Sequence, residues 1–155
     1  MDSHTLLNSS MQKLKVADHL LSTTYSLVKD PKLLVSVVEN IFKSLELAVE
    51  AVLVYEKNFK SIEYSGSFES KIEMFRRKII PKYALENDIV QFIVDLKTLL
   101  DEHKASKVEF TKKEKFVISD DDFNLKTLTF DEVRKKYTMA KHYIDEISKI
   151  ISKYD

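Results

Sequence analysis

The chain has 155 residues, and its 25 Lys and Arg balance 25 Asp and Glu, so its formal net charge is zero. One Gly, two Pro and no Cys exclude phosphate-cradling glycine loops and turn-dense β architectures, which need glycine's positive φ, as well as disulfides, thiolate zinc sites and cysteine nucleophiles. Zero net charge also argues against a general polyanion binder, whose affinity comes from excess Lys and Arg on phosphates.

The length suits one domain spanning residues 1–155 with one sizeable core. Charged residues make up 32% of the chain. The longest strongly apolar run, Ala51–Tyr55, is far too short for a membrane span. The N-terminal stretch MDSHTLLNSS lacks a basic segment followed by an apolar one. The expectation is a soluble cytoplasmic protein that makes no use of a membrane.

The first helix is expected from about Thr5 to Lys29. Leu7, Leu14, Leu21 and Val28 recur every seven residues, with Met11, Asp18 and Tyr25 between them. This is the 4-3-4-3 seam of helices packed at a shallow angle. Asp18 puts a carboxylate where the seam asks for an apolar residue. An interior carboxylate must be paired; Arg76, Arg77, Lys78 or a tyrosine hydroxyl is the expected partner, unless water reaches the position. Asp18 and Tyr25 therefore form a candidate polar site.

Asp30 and Pro31 break the chain and begin a second helix from Pro31 to about Lys60. Its apolar face contains Val35, Val38, Phe42, Leu45, Val49 and Val52. Its polar half contains Ser36, Glu39, Asn40, Lys43, Ser44, Glu46 and Glu50. So wide an apolar face suggests contact beyond one neighbouring helix. Leu34, Val37, Ile41, Leu47 and Val54 are expected on its outer flanks, as a subunit interface.

Ser65-Gly66-Ser67 forms a loop, with Ser67 as N-cap of a helix carrying Phe68, Ile72, Phe75 and Ile79. Pro81 ends or kinks that helix. Another helix is expected over about Asn87 to His103. The β-prone runs Val108–Phe110 and Phe116–Ile118 predict a small hairpin near 107–118 with a polar tip. Asp120-Asp121-Asp122 reads as a solvated turn. In the last helix Thr129 and Glu132 fit a capping box. Val133, Tyr137, Ala140, Ile144, Ile147, Ile151 and Tyr154 then keep unbroken 4-3 spacing. The fold class expected is all-α: an antiparallel four- to five-helix bundle with a small β-hairpin insert.

Chemistry-bearing motifs are sparse. His4, His19, His103 and His142 do not pair at i,i+4, and no glycine-flanked serine elbow occurs, so no metal, cofactor or catalytic residue is expected. Basic clusters at Arg76-Arg77-Lys78 with Lys82, at Lys112-Lys113-Lys115 and at Arg134-Lys135-Lys136 with Lys141 read as solvated faces interleaved with acids. Their alternative reading is a phosphate-contacting surface using Arg76, Arg77, Lys78, Arg134 and His142, with Tyr83, Phe110 and Tyr137 as stacking rings.

The long amphipathic second helix, the bundle seams and the lack of glycine loops resemble the HEPN superfamily of small helical-bundle proteins. The resemblance covers Asp18 to Glu56 and the final helix. Members of that superfamily often dimerise and often accompany a nucleotidyltransferase, and some are RNases. The RNase members carry Arg followed by His after four to six residues. Arg134 and His142 are separated by seven, so the resemblance implies a non-catalytic member and carries over no active-site residue. The leading expectation is a non-enzymatic interaction module, homodimeric and partnered with another protein. An RNA-binding or RNA-cleaving bundle is the second.

Overall fold

A computed structural model describes residues 1–59, 62–105, 108–112, 115–119 and 125–153. The expected all-α bundle is present, and its β insert is larger than the expected hairpin. The Asp120–Asp122 turn, Lys60 and Tyr154 lie outside the described residues.

The Asp2 carboxylate accepts the Thr5 N–H at 2.7 Å and starts the first helix. That helix runs as α1 (Ser3–His19), a wide π-helical turn (Leu20–Thr24) and α2 (Tyr25–Val28). Lys29, at φ 53°, ends it in the left-handed conformation. The Asp30 carboxylate then accepts the Lys32 N–H at 3.0 Å, and its carbonyl accepts that of Leu33. With Pro31 holding its fixed φ, this turn launches α3 (Leu33–Lys57) two residues later than expected.

The face that α1 turns to the core keeps Leu7, Leu14 and Leu21 of the expected seam but is rolled away from Met11 and Asp18. Ser3, Leu7, Ser10, Leu14, Ala17 and Leu21 are buried, while Met11 and Asp18 sit at the edge. Small residues decide this. Ser10 and Ala17 on α1, with Ser44, Ala48 and Ala51 on α3, are all fully buried. The Ser10 hydroxyl donates to the Ser44 carbonyl at 2.5 Å, a bond that only closely approaching helices can make. Ser44, expected on the polar half of its helix, donates its own hydroxyl to the Ile41 carbonyl. The π turn holds one extra residue and rotates the next turn of helix by ~100°. Tyr25 lands on the core and stacks on Phe130, centroids 5.1 Å apart. Val28, expected on the seam, points outward.

α3 is the central element, with α1, α4, α6 and α7 packed around it. The outer-flank expectation is corrected on this point. Leu34, Val37 and Ile41 are fully buried in the chain's own core. Leu47 and Val54 are half-buried against it. A helix packed against several others needs a broad apolar surface, so the breadth of its apolar face reflects internal packing, with Glu39 and Lys43 left on its exposed side.

Ser67 caps α4 (Phe68–Met74), its hydroxyl accepting the Ser70 N–H at 3.2 Å. A second π turn (Phe75–Ile79) leads into α5 (Ile80–Tyr83). Pro81 explains the widening, because it has no N–H for the ladder and its ring crowds the carbonyl of Arg77. The Ile80 N–H reaches back to the Phe75 carbonyl instead. Ala84, at φ 53°, ends α5, and α6 (Asp88–Ala105) comes next.

The insert is a three-stranded antiparallel sheet, β1 (Val108–Lys112), β2 (Lys115–Ser119) and β3 (Leu125–Leu128), in that order. Phe110 pairs with Val117, and Phe116 with Leu128. β2 is central and buried from Phe116 to Ser119. The sequence reading misses β3 because Leu-Lys-Thr-Leu spaces its two leucines three residues apart and so shows no period of two. Thr129 then caps α7 (Phe130–Lys153) by accepting the Glu132 N–H at 3.3 Å. Val133, Ala140, Ile144, Ile147 and Ile151 are buried as the spacing predicts.

Candidate functional site

The most heavily committed charge in the molecule is Glu56, in the last turn of α3. Its side chain is 3% exposed. Its placement comes from the stripe Val35, Val38, Phe42, Leu45, Val49, Val52, whose next position at 3-4 spacing is Glu56. The Lys82 ammonium sits on one carboxylate oxygen, and the Tyr83 hydroxyl donates to the other at 2.7 Å. Both partners come from α5, the short helix set by the second π turn and Pro81. The bond to Glu56 holds the Lys82 ammonium well above the ordinary lysine range. Burial, reinforced by the bond to Glu56, pushes the Tyr83 hydroxyl up.

This triad borders a cleft of about 200 Å³ lined by Tyr55, Glu56, Phe59, Lys82 and Tyr83. Tyr55 and Phe59 are in tilted contact, centroids 5.0 Å apart. The Lys82 ammonium lies 5.1 Å from the centre of the Tyr83 ring. Phe59 stands exposed beside it. The sequence reading names Tyr83 only as a stacking ring and does not single out Glu56. The signal was available, since Glu56 interrupts its stripe just as Asp18 interrupts its own.

Asp18 lies at an edge that water reaches, the alternative its sequence position left open, and is 48% exposed along its side chain. The expected pairing with Arg76, Arg77 or Lys78 is overturned. Asp18 accepts the Ser22 hydroxyl at 3.0 Å and faces Arg134 of α7 at 3.8 Å. Arg134 also donates to Ser22 at 3.1 Å and lies over the Tyr137 ring. Burial, then the charge of Asp18, pushes the Tyr137 hydroxyl up. Tyr25 is buried some way along the helix, on the core side.

The basic residues of the phosphate-surface reading are spread over separate elements, with acids close by. Arg76 is held by Glu73 at 2.5 Å, while Arg77 and Lys78 are exposed on the second π turn. His142 meets Glu86 at 2.8 Å, a bond that raises its pKa above the usual histidine value. The side chains of Phe110, Lys112 and Lys113 lie outside the described residues.

A second cleft, of about 400 Å³, lies between α3, α6 and the sheet, lined by Lys32, Val35, Ser36, Glu39, His103, Glu109 and Phe116. His103, in the last turn of α6, faces Glu109 of β1 at 3.1 Å and meets Phe116 edge-on. Beside it Lys126 pairs with Glu102 at 2.8 Å, tying β3 to α6.

Fold and clefts together define an all-α bundle with a sheet flap, whose polar clusters consist of ion pairs. No known family model, characterised protein or solved structure matches the chain. Among the described residues, no helix is long and apolar enough to cross a membrane.

Proposed function

We propose that this chain is a non-enzymatic, HEPN-like interaction module that works as a homodimer through its surface. The observation that carries the reading is the apolar pair at the end of the first helix. Leu27 is 79% exposed and Val28 62% exposed. A regular helix would turn Val28 toward the core, and the π turn directs it to water instead. Adjacent large apolar side chains held in water favour contact with a partner surface. The state of the polar groups supports the non-enzymatic half. Asp18 and Glu56 are each engaged by a basic side chain, as structural ion pairs are.

Sedimentation at micromolar concentration tests the reading. The expected mass is that of two chains, and Leu27→Glu with Val28→Glu should return it to one while leaving the circular dichroism unchanged. A wild-type protein that stays strictly monomeric across the micromolar range would overturn it.

A further inference from the structure

Three independent features make the cleft at the end of α3 attractive to a cation. The Glu56 carboxylate is withdrawn from water. It sits in the last turn of a 25-residue helix, where the dipole's negative end already disfavours an acid and favours a cation. The rings of Tyr55, Phe59 and Tyr83 line the same space, and aromatic faces attract ammonium groups within ~6 Å. Lys82 fills this role while keeping its side chain 35% exposed. Open volume remains beside it.

We propose that this cleft is a binding site for an alkylammonium ion, with Lys82 as its resident intramolecular occupant. Exchange keeps the charge balanced. One ammonium enters as the Lys82 ammonium swings into water, so the buried carboxylate is never left unpaired. Lys82 stands on a four-residue helix, and its side chain can leave without unravelling a long element. The size limits the ligand. Clefts for drug-sized molecules span ~300–1,000 Å³, so about 200 Å³ takes an amine head group whose remainder stays in solvent. A free polyamine and a lysine side chain of another protein share that chemistry.

The tethered lysine competes at an effective concentration on the order of millimolar, so the wild type binds free amine weakly and the site opens when Lys82 is removed. The probe is n-butylammonium chloride against sodium chloride at matched ionic strength. Lys82→Ala is expected to melt lower than wild type. Millimolar butylammonium should restore its melting temperature and sodium should not, because a ligand that binds only the folded state stabilises it by mass action. Binding to Lys82→Ala should be at least roughly tenfold tighter than to wild type, and adding Glu56→Gln should abolish it. Lys43→Ala, which removes the exposed Lys43 from the half-buried Glu46, should show no such rescue.

If Lys82→Ala does not fold, Lys82→Met keeps the stem's packing and takes the same titration. In the wild type, the NMR signal of the Lys82 ammonium should move toward that of a free lysine as butylammonium is added. Cadaverine and N-acetyl-lysine amide separate the two sources, and tighter binding of either supports the site and assigns its ligand. Indistinguishable effects of butylammonium and sodium on the variants, with an unmoved Lys82 signal, would overturn the proposal.

Discussion

Asp18 and Glu56 occupy equivalent places in their sequences, and the fold treats them in opposite ways. Each stands where a 4-3 stripe asks for an apolar side chain. Asp18 lies half in water, beside Ser22 and Arg134. Glu56 lies inside, held by Lys82 and Tyr83. The difference comes from the neighbours. On α1, Ser10 and Ala17 offer a smooth strip that α3 approaches closely, and the helix rolls until that strip faces inward and Asp18 reaches the rim. Near Glu56, Leu53 and Tyr55 are themselves buried, and the exposed side of this end of α3 is already held by Lys57. The carboxylate stays in, and α5 supplies its cation.

The strongest way to break this contrast is Lys82→Ala, which takes the Lys82 ammonium away from the buried Glu56. Urea unfolding should show a loss of about 3 kcal/mol, and Glu56→Gln combined with Lys82→Met should recover most of it. The reason given for Asp18's position is tested by Ser10→Leu. That side chain must enter the α1–α3 contact, and about 2 kcal/mol of overpacking is expected in the same measurement. Tyr83→Phe removes one hydrogen bond to a charged group and should lower stability by about 1.5 kcal/mol. Asp18→Asn disturbs only an exposed pair and should change stability by less than about 1 kcal/mol. A value near that of Lys82→Ala would erase the distinction between the two acids.

The smallest effect is one of pH. The bond to Glu86 raises the pKa of His142 above its ordinary 6.5. Its contribution to stability is therefore fully present below pH 6.5 and is lost as pH rises through the higher folded value. Thermal melts of wild type and His142→Gln should converge toward pH 8 and separate slightly toward pH 6.

Much of the fold is legible in the chain. The break at Asp30 and Pro31, the Ser67 and Thr129 caps and the α7 seam can be read from a few residues each, because caps and breakers act within one turn of backbone. β3 is harder to see, being four residues long and without alternation. The candidate site is legible only in part. Glu56 announces itself by interrupting a stripe, but its partners lie 26 and 27 residues away, and Pro81 marks the break between them without saying which side chains it brings to Glu56.

Amino-acid order alone thus determined helical content, the main caps and breaks and the apolar periodicity, since these depend on propensity and hydrogen bonding between near neighbours. Tertiary packing decided which side of α1 faces inward, that α3 packs against four neighbouring helices, and which of two similar carboxylates would be buried. Periodicity specifies a repeat but not its phase. Where small side chains permit a closer approach than large ones, the phase is chosen by the helix on the other side.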